Sequence, residues 1–348
     1  MDFLNSIILL TNFIIVPGIT YGSQLALGAI GVTLIYGVLR FANFAYGDLM
    51  AFGTMIVILV TWFLQAKGIT FGLLPTALLA LPVGILLTIA VSLFFDKTVF
   101  EYYRNKKSDP VTFIVVSLGI MFVLNALVRI IIGPNDINFM DGHKFIMKAR
   151  EFKQMTGLNE GLALKSTQII TLITTIITCS ILFYFLNNTK TGKSMRAYSN
   201  NEDLALLSGI DPKKIVLLTW IIVSILATVA GTLYGLDKSF KPFTYFNNLL
   251  PIFAATIVGG IGNPLGAFYG GFLIAFSEIG LTYAYKKFFK YIMPEGLEPS
   301  TLIQFISTDY KFAISFAILI VVLIFRPNGI FKGKVIWSII LTLKFVSQ

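Results

Sequence analysis

The chain has 348 residues, of which 56% are hydrophobic and 13% charged, with a formal net charge of +10 and a mean hydropathy of +0.82. A soluble domain carries roughly 25% charged residues, so a water-soluble enzyme, a secreted disulfide scaffold and a disordered tail are all excluded. The single cysteine, Cys179, lies inside an apolar run and can form no internal disulfide.

The basic excess sits in loops between apolar runs, where it meets anionic lipid headgroups. No arginine-rich or aromatic-interleaved stripe suggests nucleic acid. The chain starts Met1-Asp2-Phe3 and its first basic residue is Arg40. A cleaved signal peptide needs a positive n-region, so none is expected and insertion proceeds through the spans themselves.

In chain order, uncharged stretches predict helices over 19–39, 49–66, 73–95, 110–132, 166–189, 215–236, 243–259, 264–285 and 312–331. Each approaches the roughly 20 apolar residues that a bilayer crossing needs. The fold class is an all-α integral membrane protein, a bundle of about nine (8–10) transmembrane helices in one domain over 1–348. Segment 3–16 is a further candidate crossing, with Pro17-Gly18 as the expected break before the first long helix. Continuous apolar runs exclude a porin-like barrel, whose strands alternate.

Two loops differ in chemistry. Loop 133–165 is long and mixed, opened by the turn Gly133-Pro134-Asn135-Asp136. Loop 190–214 is compact and patterned. Placing loops 40–48, 96–109, 190–214, 260–263 and the tail from 326 on one side puts 14 of the 27 Lys and Arg there. The positive-inside rule cannot orient so even a division.

Thr191-Gly192-Lys193-Ser194 has the look of a phosphate-loop ending, but that motif needs a glycine where Asn187 stands. A basic turn at a membrane surface is the expected structure. His143 is the only histidine, and one imidazole without cysteines builds no zinc site. No nucleophile–base–orienter set is present either, so no catalytic residue and no metal site is expected.

In Asn201–Pro212, Asn201 is a helix N-cap, and Glu202 and Asp203 place negative charge in the first turn. Gly209 stops the helix and Pro212 prevents its continuation. A two-turn helix is marginal alone. Leu204 and Leu207 share a face, so either the protein's own helix ends or a docked subunit must cover it.

Asn43 and Asp48 place an amide and a carboxylate at the seam of two apolar runs. Such residues often mark a pathway, although Arg40 and Asp48 could simply bracket an interfacial turn. Gly259, Gly260, Gly262, Gly266, Gly270 and Gly271 permit close backbone approach, whether for packing or for a transport site at a helix break.

Together these blocks resemble one family. Asn43-Phe44-Ala45-Tyr46-Gly47-Asp48, with Gly37–Ala42 before it, resembles the NFA-(H/Y)-G-(D/E) signature of branched-chain amino acid ABC importer permeases. Lys193-Ser194-Met195-Arg196-Ala197 and 202–211 resemble their cytoplasmic coupling loop. Gly259–Ala267 is similar to their late glycine-rich turn, and Arg326–Phe331 to their C-terminal close. The blocks follow family order over 37–331, and the short N-terminal region looks like the LivH-type subunit. Tyr46 stands where His is common, so no role of that histidine carries over.

The resemblance implies a permease subunit of the bacterial inner membrane that transports and does not catalyse. It would work with a second homologous permease, two cytoplasmic ATPase subunits and a periplasmic binding protein. ATP would be used by those partners, with no cofactor on this chain. Loop 190–214 and the tail 332–348 would face the cytoplasm, and loop 133–165 the periplasm. Coupling would fall on Arg196, Glu202, Asp203, Leu204, Ala205, Leu207 and Gly209. The path would fall on Asn43, Asp48, Gly259, Gly260 and Gly262. The alternatives are an amide or urea importer of the same kind, or a stand-alone channel or secondary transporter.

Overall fold

The structure is a computed structural model and describes residues 2–293, 301 and 303–331; the tail 332–348 lies outside them. Eight helices among these are long and apolar enough to cross a membrane. They are α1 (Asp2–Leu39), α2 (Tyr46–Ala66), α3 (Ala77–Asn105), α4 (Pro110–Ile132), α6 (Ser166–Asn188), α9 (Pro212–Lys238), α11 (Pro264–Thr282) and α13 (Lys311–Phe325, entered by a 3₁₀ turn over Thr308–Tyr310). Shorter helices are α5 (Ala149–Thr156), α7 (Lys190–Asn200), α8 (Glu202–Leu207) and α12 (Lys286–Ile292). The ninth long element, α10 (Pro242–Gly259), is less apolar because Asn247 and Asn248 lie in it, yet it runs between the same two ends.

Three boundaries differ most from the sequence expectation. Segment 3–16 is not a separate crossing, and Pro17 does not break the chain: α1 is one helix of 38 residues. A π turn over Thr11–Ile15 widens the helix just before the proline. That turn takes up the carbonyl which an α-helix would set against the pyrrolidine ring. At about 57 Å, α1 is roughly twice the hydrocarbon thickness, and its first turns pack on α12 outside the bundle. Helix α3 likewise runs past Asp96 through a π turn over Asp96–Phe100. Arg104 spans that turn to Asp96 at 3.0 Å. Finally, α13 ends at Phe325, and Arg326–Phe331 turns back onto the bundle instead of extending the helix.

Helix α9 is the central post, with 72% of its apolar window buried, packed on α1, α2 and α3; α11 lies along α1. Lipid offers no hydrophobic drive for helix association, so close packing and interhelical hydrogen bonds must hold the bundle. Both are present. Tyr245 Oη donates to the Gly231 carbonyl at 2.9 Å, and Ser92 and Ser224 hydroxyls meet at 2.6 Å.

The helices alternate between two ends. One gathers 40–48, 96–109, 190–214, 260–263 and 326–331, the set expected together from the sequence. The other gathers loop 133–165, the α2–α3 turn and, of the described residues, 283–293 and 303–310. There, strand β1 (Phe145–Met147) pairs antiparallel with β2 (Leu164–Lys165). Ile137 and Phe240 exchange backbone hydrogen bonds, and Asp136 pairs with Lys241 at 2.5 Å. Asn5 and Asn12 of α1 accept from the backbone of Glu160 and Ala163. Loop 133–165 is thus closed on itself and tied to α1 and to the junction between α9 and α10.

Candidate functional site

At the end bearing 190–214, α6 hands over to α7 by a tight reversal. Thr189 Oγ1 accepts from the Gly192 amide at 3.0 Å. A Cβ on Gly192 would strike the Phe185 carbonyl and Leu186. Thr191-Gly192-Lys193-Ser194 is therefore a helix start folded against its neighbour. Met195 and Tyr198 of α7 are buried, and Tyr198 Oη donates to Glu202 Oε1 at 2.6 Å. Burial and that carboxylate hold the Tyr198 phenol well above its ordinary value.

Helix α8 forms as its sequence demands. Asn201 Oδ1 accepts from the Leu204 amide at 3.0 Å, and Gly209 turns the chain out at φ 77°. Pro212 then serves as the first residue of α9, with Asp211 as its cap. Only Ala205 of α8 is buried; Leu204 is 61% and Leu207 85% exposed. Asp203 is exposed too. Among the described residues, no helix end covers the leucine face.

Arg40 ends α1 in the left-handed region at φ 62°, and its Nη2 donates to the Ser199 carbonyl at 2.7 Å. The signature loop is thereby tied to α7. Asn43 Oδ1 accepts from the Ala45 amide at 3.0 Å, closing the turn into α2. Tyr46, Gly47 and Asp48 belong to the first turn of α2, so Asp48 does not bracket an interfacial loop. It is 1% exposed and accepts from Asn125 Nδ2 of α4 at 2.7 Å. Its second oxygen has no hydrogen-bond partner.

The glycine turn does two separate things. Gly259 and Gly266 face each other across the α10–α11 crossing, where a Cβ on either would meet the other's carbonyl. Gly260 and Gly262 adopt φ 107° and 83°, which glycine alone reaches at no steric cost. The Gly262 amide donates to Thr33 Oγ1 at 2.8 Å, and Asn263 caps α11 while its Nδ2 donates to the Phe331 carbonyl. Gly329 packs on Gly260. A cavity of about 250 Å³ opens here among Thr33, Gly37, Arg196, Ser199, Gly262 and Asn263. The structure thus brings the four sequence blocks to one end. Asn43 and Asp48 lie outside this cavity, as do Gly259 and Gly260.

Sequence reasoning missed a second cavity, of about 360 Å³, at the opposite end. Glu278 of α11 lies in its wall at 1% exposure, with Tyr21, Tyr234, Asp237, Lys238 and Lys311 around it. The one signal available was a lone carboxylate inside an apolar run, at Glu278 between Phe272 and Tyr283.

A multi-helix bundle with buried carboxylates, a cavity toward each end and a short capped helix with exposed leucines is an architecture suited to a membrane permease. The chain belongs to the family of permease components of branched-chain amino acid transport systems, whose family model matches residues 14–323. It is 28% identical over 318 residues to the high-affinity branched-chain amino acid transport system permease protein LivH of Escherichia coli, covering 90% of this chain and 92% of that one. BraD of Pseudomonas aeruginosa is 26% identical over 324 residues, covering 91% of this chain and 94% of the other. A probable LivH of Methanocaldococcus jannaschii is 29% identical over 278 residues, covering 78% of this chain and 81% of the relative.

Proposed function

We propose that this chain is the membrane-spanning permease subunit of an ATP-driven importer that carries branched-chain, small aliphatic amino acids across the inner membrane. Its partners are a second homologous permease, two cytoplasmic ATPase subunits and a periplasmic binding protein. ATP is used by the ATPases, and this chain binds no cofactor. The observation that carries the reading is α8, capped at both ends and anchored by Ala205, yet presenting Leu204 and Leu207 uncovered at the end where the family blocks converge.

The geometry supplies a route for mechanical coupling. Movement of α8 by a docked ATPase pulls Tyr198 through the Glu202 hydrogen bond. Helix α7 then pulls the end of α1 through the Ser199–Arg40 contact. Helix α1 packs along α9 and α11, so a shift at its foot propagates into the bundle as rigid-body rocking. Coulomb attraction between Lys190, Lys193, Lys213 and Lys214 and anionic headgroups would hold this loop at the membrane surface.

The test is uptake by the complex reconstituted in proteoliposomes, against a panel of amino acids and urea. ATP-dependent uptake of leucine, isoleucine or valine that needs all subunits is expected. Uptake of urea or an amide in their place redirects the substrate assignment within the importer class. Flux through this chain alone, without ATPases, overturns the subunit reading in favour of a channel or secondary transporter.

A further inference from the structure

The cavity around Glu278 has no part in the coupling route above, and its chemistry is unusual for a membrane interior. Glu278 is 1% exposed; Ser315 Oγ hydrogen-bonds one carboxylate oxygen, while Oε2 has no hydrogen-bond partner. Tyr21, 7% exposed, lines the same space, and its hydroxyl interacts with the Glu278 carboxylate. Lys311 lies with its Nζ 5.7 Å from the Tyr21 ring centroid and interacts electrostatically with Glu278, but the two form no ion pair. Among the described residues, Asp237 is the only other carboxylate in the wall, and it is paired with Lys238 at 3.6 Å.

A buried carboxylate and an ammonium that share a cavity without touching are costly to keep apart. A structural pair would close to contact distance. Here the charges stand on different helices, Glu278 on α11 and Lys311 at the start of α13, and both line the same cavity. A molecule carrying one positive and one negative group a few bonds apart would satisfy both. An α-amino acid is such a molecule. The volume lies at the small end of the roughly 300–1,000 Å³ typical of ligand sites, and Ile279 and the ring of Tyr234 offer apolar wall for an aliphatic side chain. The cavity opens at the end opposite α8, the side from which an importer receives its cargo.

We propose that this cavity is a binding site for the zwitterionic amino acid in transit, with Glu278 taking the α-ammonium and Lys311 the α-carboxylate. The assignment rests on the amino acid importer reading. Each pole gains a charge-assisted hydrogen bond inside a low-dielectric wall, which neither the bilayer nor an apolar side chain can replace. Selection for the zwitterion, as against an amine or a fatty acid of the same shape, is the consequence.

Two measurements test it on the assembled complex in proteoliposomes. In the first, a hydrophobic carbodiimide labels buried carboxyls, and mass spectrometry follows Glu278. Millimolar leucine is expected to protect Glu278, while 4-methylpentanoate, which lacks the ammonium, protects far less. Equal labelling with and without leucine overturns the site, and this measurement needs no variant. In the second, E278Q and K311Q are compared with E278D and K311R for leucine uptake, after co-purification shows that each complex is assembled. Loss of a charged hydrogen bond should cut uptake at least about tenfold in the Gln variants, with substantial recovery in the charge-conserving ones. If wild-type complex imports leucine and E278Q does so equally well, the cavity proposal fails while the importer reading stands. If wild-type complex imports no amino acid at all, the importer reading fails and the site falls with it.

Discussion

The two ends of this bundle are built on opposite plans. The outer lid, loop 133–165, fastens its own polar groups: Asp141 accepts from the Thr76 amide and Gln65 Nε2 at 2.8 Å each, and β1 pairs with β2. The other end leaves work undone. Helix α8 satisfies its backbone at both termini but keeps three leucines, Leu204, Leu206 and Leu207, exposed. One end is closed by the chain itself, and the other leaves a capped apolar face exposed among the described residues. An isolated two-turn helix is marginal, and the proposed ATPase contact would supply the packing that this face lacks.

That contrast is most strongly broken by charging the uncovered face. Leu204→Asp with Leu207→Asp should detach the ATPase subunits while the spans stay folded. Burying each leucine gains about 1.5–3 kcal/mol, and a buried carboxylate adds a penalty. Docking should weaken by about two to four decades. Co-purification from detergent decides it; wild-type stoichiometry in the double variant would reduce α8 to ordinary loop structure.

A smaller effect is expected from cutting the link between α7 and α1. Arg40→Gly favours the left-handed backbone at φ 62° and removes only the hydrogen bond to Ser199. The lost charge-assisted contact is worth about 1.5–3 kcal/mol. Uptake per ATP hydrolysed should fall while the ATPases stay bound, and an unchanged ratio would take Arg40 out of the coupling route. Tyr198→Phe acts more locally, removing one bond to the exposed Glu202 carboxylate, at the low end of that range of about 1.5–3 kcal/mol. It should speed proteolysis within 201–211 and leave the rest of the chain unaffected.

At the outer end the smallest effect is one of pH. Partial burial pulls the Asp141 carboxyl upward, but the hydrogen bonds from Thr76 and Gln65 outweigh it and hold it below the ordinary carboxylate value. A carboxyl lowered in the folded state adds stability that is complete above its unfolded value of about 3.9. It is lost as pH falls through the lower folded value. Protease access to 133–165 should therefore rise in that acid window in wild type, and Asp141→Asn should flatten the dependence.

Much of this architecture was legible in linear order. The bounds of α4, α6 and α10 lie within a residue of those read from charge spacing, because a membrane span is defined by what it lacks. The caps at Asn201 and Asn263 and the stop at Gly209 are local chemistry, and local chemistry survives folding. Where the reading failed, the deciding atoms were distant or the helix deformed. Pro17 and Asp96 looked like ends, but a π turn beside each let the helix continue under tertiary packing. Arg326–Phe331 looked like more helix, but the Ile330 amide finds the Val258 carbonyl, and Gly329 finds the bare backbone of Gly260.

What the sequence determined by itself is the medium, the spans, which loops share an end, and the caps that shape α8. All of these follow from hydropathy and from groups within a few residues of one another. Only the tertiary structure decided that Glu278, Tyr21 and Lys311 share one cavity and that Leu204 and Leu207 have no cover. It alone tied Arg40 to Ser199 across 159 positions of chain. A lone carboxylate in an apolar run reads the same whether it faces lipid, a helix seam or a cavity. Its partners come from helices that only packing brings together, and no period or spacing along the chain encodes which ones they are.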